Sequence, residues 1–547
     1  MVFLVSLMME NTYSSKSLGH LGIVSGMIDE LCLVESIDKL LQTDGVAREI
    51  GIGTICKALI LNGLGFTQRT LYMVPTFFND KPIDVLLGSN IKASQLNDTV
   101  LGRALDSIHS YGCTELYAHL SPQICKKLGL SSKNGHMDST DFHLDGVFNS
   151  RSDEVDEHIL HLRPGYSRDH RPDLNQAVLN LIVENQAGIV LHMQALSGNV
   201  SDKTAFNDTI KSHISQLQTV HDLDYIIMDS AGYTKDSIES CATNIKWISR
   251  VPETLTESKS AIKKTYSNWT FLAEGYQYIT LNSDYADIKQ RWLLVYSEEA
   301  YKRELLTLKK SYFKASQKEH NDFRKLCKSA FDCQNDAQNA IDKFILKCKY
   351  LTINDISIQK VAFFDKKGRP KKEEIPTGFH YFIHATDYCC MDTFEKMAYT
   401  KGKFIIATNE LDEIKLDNET LFTNYKGQSK VERGFRFLKD PQFMAATLFV
   451  KKPERVEALL FIMTLCLSVY AAIEFRIRQV LILKNLTLPN QLGKEVKNPT
   501  ARWIFTCFNP VTVLYANQVP IILNCNDLHR KIIKLMGNEY HKYYFLN

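Results

Sequence analysis

Three carboxylates stand where they can do chemistry together. Asp138, in GHMDSTDFHLDG, and Asp229, which ends the apolar run YIIMD before SAGY, each lie where a strand-like stretch meets a loop. Far along the chain, Glu432 sits in NYKGQSKVERGFRFLKDPQF (424–443), among Lys426, Lys430, Arg433, Arg436 and Lys439. Taken singly, an aspartate at a strand end is a turn or cap residue, and a glutamate among basic residues is a surface ion pair. The order is more informative: strand Asp, strand Asp, a long interval, helix Glu. Three carboxylates in one pocket repel one another and take up protons unless cations are present. Mg2+ or Mn2+, hard ions that prefer oxygen ligands, are the natural counter-charge. Two such ions activate a water or a 3′-hydroxyl and stabilise the leaving oxygen of a phosphodiester. A polyanionic substrate also accounts for the basic surroundings of Glu432.

The element carrying Glu432 reads as one helix stopped by Asp440 and Pro441. At about 100° per residue, Tyr425, Gln428, Glu432 and Lys439 share a narrow face. Val431, Phe435 and Leu438 fall roughly a quarter turn away, on a face suited to a core. Asp141 is a rival to Asp138 on the other strand parity, and Glu457 a rival to Glu432. His136 and His143 read as packing or supporting residues. Arg163, Arg168, Asp169, His170, Arg171 and Asp173 form a dense polar loop, either salt-bridged within itself or a contact for DNA or the active site.

The elements that position these groups change character along the 547 residues. Residues 1–130 read as helical, a DNA-binding or dimerisation region, with Asn97 or Asp98 as an N-cap in NDTVLGRALDSIHSYG. Residues 131–259 switch to short β-rich runs separated by turns. Residues 260–400 combine strands with a Lys-rich helical stretch. Residues 401–480 return to a buried strand, KFIIATNE, then the Glu432 helix and an apolar helix; 481–547 read as a tail. The fold class is α/β.

A hydrophobic fraction of 44% suits a globular protein of two to four domains, and a net charge of +3 requires any nucleic-acid affinity to come from local basic patches. Thirteen scattered cysteines, without CxxC pairs or zinc spacing, suit a reducing compartment. The opening MVFLVSLMMEN is short and lacks a basic flank, and Met8 or Met9 is the expected start. The run Ala458–Ile473, flanked by Glu457 and Glu474, reads as a core helix rather than a membrane span. A cytoplasmic, nucleoid-associated location is expected.

With these residues in view, the chain resembles the DDE transposases of prokaryotic insertion sequences, in the group marked by a Tyr-x2-Arg-x3-Glu-x6-Lys signature. Tyr425, Glu432 and Lys439 match that spacing, and Gln428 stands where the signature has arginine. VERGFRFLK, GYSRDHRPDLNQ, LSGNVSD, TNE, LGHLGIVSGMIDEL and LNDTVLGRALD resemble stretches of the same group. The resemblance implies an RNase H-like catalytic core, a mixed sheet flanked by helices, interrupted by an insertion domain at 260–400. It implies Asp138, Asp229 and Glu432 as catalytic and metal-binding residues for two Mg2+ ions, with Mn2+ able to substitute. Tyr425, Gln428, Arg433, Arg436 and Lys439 would contact DNA. The implied partners are double-stranded DNA, as terminal inverted repeats and target, and a second copy of the chain in a homodimer. The implied activity is metal-dependent DNA cleavage and strand transfer. The alternatives are an inactive DNA-binding derivative and a nuclease without strand transfer.

Overall fold

The computed structural model describes residues 13–42, 48–66, 73–144, 160–164, 173–198, 200, 202–242, 244–365, 375–439, 452–517 and 519–545. The chain forms two units: Met1–Arg250 with Ser283–Gln290 and Thr408–Asn547, and Val251–Asn282 with Arg291–Ala407.

The first unit contains five strands: β1 (Asn134–Leu144), β2 (Asn175–Glu184), β3 (Val190–Ser197), β4 (Tyr225–Met228) and β5 (Lys246–Arg250). Their spatial order is β3-β2-β1-β4-β5. β1 pairs antiparallel with β2 and parallel with β4, β2 pairs antiparallel with β3, and β4 parallel with β5. The start of DLNQAVLNLIVE has helical character, but its Val and Ile residues place it as β2, buried along nearly its whole length. The β2–β3 turn is organised by the buried Glu184 carboxylate. It accepts backbone N–H groups of Gln186 (2.5 Å), Ala187 (2.5 Å), Gly188 (2.6 Å) and Ile189 (3.1 Å). Gly188 takes φ +84°, a region open to glycine without strain.

Helices surround this sheet: α1 (Cys113–Leu128), α2 (Asp202–His221), α3 (Lys235–Ala242), α4 (Asn418–Lys426), α5 (Ser429–Leu438) and α6 (Pro453–Leu483). Tyr117 of α1 donates to the Val190 carbonyl (3.0 Å) and shares a hydrogen bond with Ser468 of α6 (2.7 Å). Ser121 Oγ donates to the Leu191 carbonyl (2.9 Å). These bonds satisfy carbonyls of β3 that no further strand would pair. α6 is long and apolar enough to cross a bilayer, yet 83% of its apolar window is buried inside the protein. A helix apolar on all sides is a core helix when other elements cover it.

The region before β1 is helical, and Asn97 is the cap of helix Asp98–Tyr111, its side chain accepting from Val100 N (3.1 Å). Residues 481–547, expected as a tail, are instead part of the first unit. Tyr13–Ser17 pairs antiparallel with Thr512–Ala516, which pairs with Val519–Leu523. In helix Leu21–Glu30 a Cβ on Gly22 would lie 2.7 Å from the Tyr544 ring, and one on Gly26 2.5 Å from the Tyr540 ring. These two glycines let the C-terminal tyrosines seat flush on the N-terminal helix. The buried Lys57 bonds Asp29 (2.7 Å) and Tyr543 Oη (2.8 Å) across the same junction.

The second unit has strands Thr270–Ala273 and Tyr276–Ser283 in a hairpin, then Gln290–Ser297 leading into helix Glu298–Lys328. Ser297 caps that helix by accepting from Ala300 N (3.3 Å). The Lys-rich stretch is two helices, this one and Gln334–Lys347. They pack on the long hairpin of Leu351–Phe363 and Gly378–Cys389 through a core of Phe323, Ala337, Ile341 and Ile383.

Three histidines of the first unit are buried where a charged ring is costly. Burial lowers His20 to about 4, His221 to about 4, and His192, which also feels His213 and His221, to about 3. An unfolded histidine takes its proton near 6.5. Between pH 6.5 and 4 the unfolded chain therefore binds more protons than the folded one. Stability falls with falling pH, by up to roughly 1.4 kcal/mol per pH unit for each histidine. The midpoint of urea unfolding is expected to drop between pH 7 and pH 5. An unchanged midpoint would contradict neutral burial.

Candidate active site

The register of β1 brings the two aspartates together. Met137 of β1 is the Cα partner of Met228 of β4, the last pair of the parallel ladder. Asp138 and Asp229 are the next residue on each strand, so they occupy matching positions on neighbours about 4.8 Å apart. Both line one small cleft with Asn180, Phe206 and Gly232. Asp138 is half-buried and Asp229 exposed. Asp229 Oδ1 accepts from Ala231 N (2.9 Å) and Gly232 N (3.3 Å), a turn in which the carboxylate aims its own loop. Ser249 Oγ of β5 donates to the Asp229 carbonyl (2.9 Å). Gly232 serves close packing: a Cβ there would lie 2.9 Å from Met228 Cβ.

Glu432 is carried on α5, in the first turn, and is exposed. The segment expected as one helix is two, α4 and α5, joined through Gly427 and Gln428 in right-handed helical conformation. Val431, Phe435 and Leu438 are buried, at 1%, 7% and 0% exposure, as their spacing requires. Gln428 falls in with them at 8% exposure rather than on the open face with Tyr425. Its Oε1 lies 3.1 Å from His136 Nδ1, and its Nε2 donates to the Met137 carbonyl (3.5 Å). The expectation that Gln428 contacts DNA is therefore corrected: its position borders both helix faces, and the polar groups of β1 draw it inward. Gly427 allows this approach, since a Cβ there would overlap Asn185 Oδ1 and lie 2.8 Å from His136 Nε2. Asn185 and Asn134 both donate to Asn424 Oδ1, at 3.3 and 3.4 Å, completing an amide network between β1, the β2–β3 turn and α4.

Tyr425 stands between the acids. Burial raises its phenol, the Arg250 guanidinium, which also hydrogen-bonds it, opposes the rise, and the Asp229 and Glu432 charges add to it. One phenol thus senses both the cleft and the α5 carboxylate. Arg250, at the end of β5, did not stand out in the sequence; the motif SRVP after a strand was its signal. TNE does visible work on the same strand: Asn409 Oδ1 accepts from Trp247 N (2.9 Å), and Lys246 Nζ donates to the Asn409 carbonyl (3.1 Å).

The rivals lie elsewhere. Asp141 is buried and faces Lys439 Nζ at 3.7 Å, and Glu457 faces His109 at 3.4 Å. Lys439, expected on DNA, is in this structure the partner of Asp141. Arg433 and Arg436 are exposed. Of the polar loop, Arg163 and Asp173 are exposed, while Arg168, Asp169, His170 and Arg171 lie outside the described residues. Among the described residues no three of His, Cys, Asp and Glu are gathered closely enough to hold a metal ion. Two carboxylates share the cleft, and the third is presented from the neighbouring helix.

Residues 136–469 match a family model described as "Transposase DDE domain". That span exceeds half the chain. The chain belongs to the DDE transposase family. Residues 13–122 match a second model, "Domain of unknown function (DUF4277)". A solved structure of a piggyBac transposase synaptic complex with hairpin DNA is similar to this chain at a TM-score of 0.37 and 7% identity, over 91% of this chain and 82% of that one. No curated protein matches. The chain is thus a DNA-cleaving transposase of mixed α/β structure.

The buried docking of α4 and α5 has measurable consequences. Gly427→Ala forces a methyl against Asn185 and His136, and is expected to cost about 1–3 kcal/mol of stability. Gln428→Arg places a charge in the same buried spot and is expected to destabilise similarly, with no gain in the salt dependence of DNA binding. Denaturant unfolding and salt-titrated binding check both. A steeper salt slope at unchanged stability would put the side chain outside.

Proposed function

We propose that this transposase binds the ends of an insertion sequence, nicks them by metal-assisted hydrolysis, and joins the freed 3′-hydroxyl to target DNA. The observation that carries this reading is the matching register of Asp138 and Asp229 in a single cleft. In this reading the five-stranded sheet is an RNase H-like core, and the second unit is the insertion domain.

The donor set fits hard divalent ions. Mg2+ is commonly held by one or two carboxylates, with waters and substrate phosphates filling its other positions. Asp138 and Asp229 supply such a pair, and Glu432 completes it from α5. Bound Mg2+, or Mn2+ in its place, would supply an activated nucleophile and charge neutralisation at the leaving oxygen. Asp229 is held at its carbonyl by Ser249 and through its own turn, so its carboxylate enters the cleft already oriented. Arg250 brings a guanidinium to that side, able to bind a phosphate oxygen, while Tyr425 keeps its phenolic proton and donates. Lys439, Arg433 and Arg436 add positive charge along α5 for the DNA backbone. A homodimer suits the task because two ends must be held at once.

Cleavage of end-matched DNA in Mg2+ tests the triad. Asp138→Asn, Asp229→Asn and Glu432→Gln are each expected to lower cleavage by about 10²–10³-fold or more, with end binding retained. Glu457→Gln, remote from the cleft, is expected to leave it near wild type. A triad variant that cleaves normally is not a metal ligand. Joined products separate strand transfer from hydrolysis alone, and a wild-type chain that binds ends without cutting them would be the inactive form.

A further inference from the structure

The face of α5 bearing Arg433, Gly434, Arg436 and Phe437 lines a second cavity of about 450 Å3. It shares no described lining residue with the Asp138–Asp229 cleft. From α6 come Tyr470, Glu474 and Arg478, one turn apart, and Arg502 comes from helix Ala501–Phe508. Close approach of α5 to α6 is set at Gly434, where a Cβ would lie 3.3 Å from Leu467. Phe437 stacks on Tyr470, ring centroids 4.3 Å apart, and gives the cavity an apolar wall.

Charge in this cavity is unbalanced. Four guanidinium groups line it, and the carboxylate among the described lining residues is that of Glu474, which takes Arg478 Nη2 at 2.6 Å. Arg478 is lowered from its ordinary value by burial and then by the Arg433 charge, against the pull of Glu474. Like charges gathered against an apolar wall repel unless an anion joins them. Guanidinium groups present paired N–H donors that match phosphate oxygens, and the volume falls in the range of small-ligand sites. The amides of the adjoining turn are already committed to Glu184, so recognition falls to the arginines.

We propose that this cavity holds a phosphate group of a DNA strand, at a point on the substrate away from the bond being cut. The proposal rests on the transposase reading, since DNA is the polyanion such a chain meets. It favours a strand phosphate over a free anion because α5 carries both Glu432 and the arginines, so one DNA molecule can reach both sites.

The test is binding of a random-sequence 20-base-pair duplex, without Mg2+, across a salt series. Arg436→Gln/Arg502→Gln is expected to weaken binding roughly ten-fold at 0.1 M salt. The slope of log K against log salt should fall by about two, at close to 0.9 per lost phosphate contact. Arg436→Gln alone, at an exposed position, is expected to lower the slope by about one and serves if the double variant does not fold. An unchanged slope in a folded variant overturns the proposal. Thermal stabilisation of wild type by millimolar inorganic phosphate, lost in the double variant while the DNA slope stays fixed, would assign the cavity to a free anion and overturn it too. Because Mg2+ is omitted, failure of cleavage chemistry and failure of this cavity give separate results.

Discussion

The pairing of β1 on both its edges is the constraint on which the candidate site depends. On one edge it takes β2 antiparallel, on the other β4 parallel, and its parallel ladder ends at Met137 and Met228. Two aspartates emerge side by side because each is the next residue. Register in a sheet is unforgiving: a one-residue slip would turn every side chain of β1 to the opposite face. The buried Val, Ile and Leu residues of β2 and β4 make such a slip costly, so apolar packing holds two polar groups in place.

The third carboxylate depends on a different contact. Gly427 has no Cβ, and α4 and α5 can therefore lie against His136 and Asn185. The amide network of Asn134, Asn185, Asn424 and Gln428 then satisfies polar groups that this approach buries. A buried network of this kind is stable only when its members find partners, which makes the seat of α5 specific. Glu432 rides on that seat in the first helical turn, where the positive end of the helix dipole favours a carboxylate. Tyr425 and Arg250 connect the seat to the Asp229 side through one phenol.

Around this centre the unit spends its most apolar helix on structure. α6 contacts the sheet through Ser468 and Tyr117, while its last turns carry Glu474 and Arg478 toward the arginine-lined cavity. The C-terminal segment closes the same unit by returning to the N-terminal helix, with Tyr540 and Tyr544 against Gly26 and Gly22. Charge is thereby placed locally in a chain whose net charge is only +3.

Much of the site was legible beforehand. The apolar stripe of Val431, Phe435 and Leu438, the core helix of α6, the Asn97 cap and the strand-end aspartates all follow from local periodicity and residue chemistry, which act over a few residues. Asp138 could not be told from Asp141, nor Glu432 from Glu457, until strand parity and the partners Lys439 and His109 were seen. Gln428 was read as outward because it lies near the border of two faces, and a helix considered alone has no sheet to dock on. Residues 481–547 were read as a tail because their pairing partner, Tyr13–Ser17, lies at the other end of the sequence. Arg250, Arg478 and Arg502 gain their places in the same way. The sequence by itself determined which elements form and which side chains they carry. Tertiary structure alone decided which charges meet, because packing joins residues hundreds of positions apart and periodicity carries no information about distance in space.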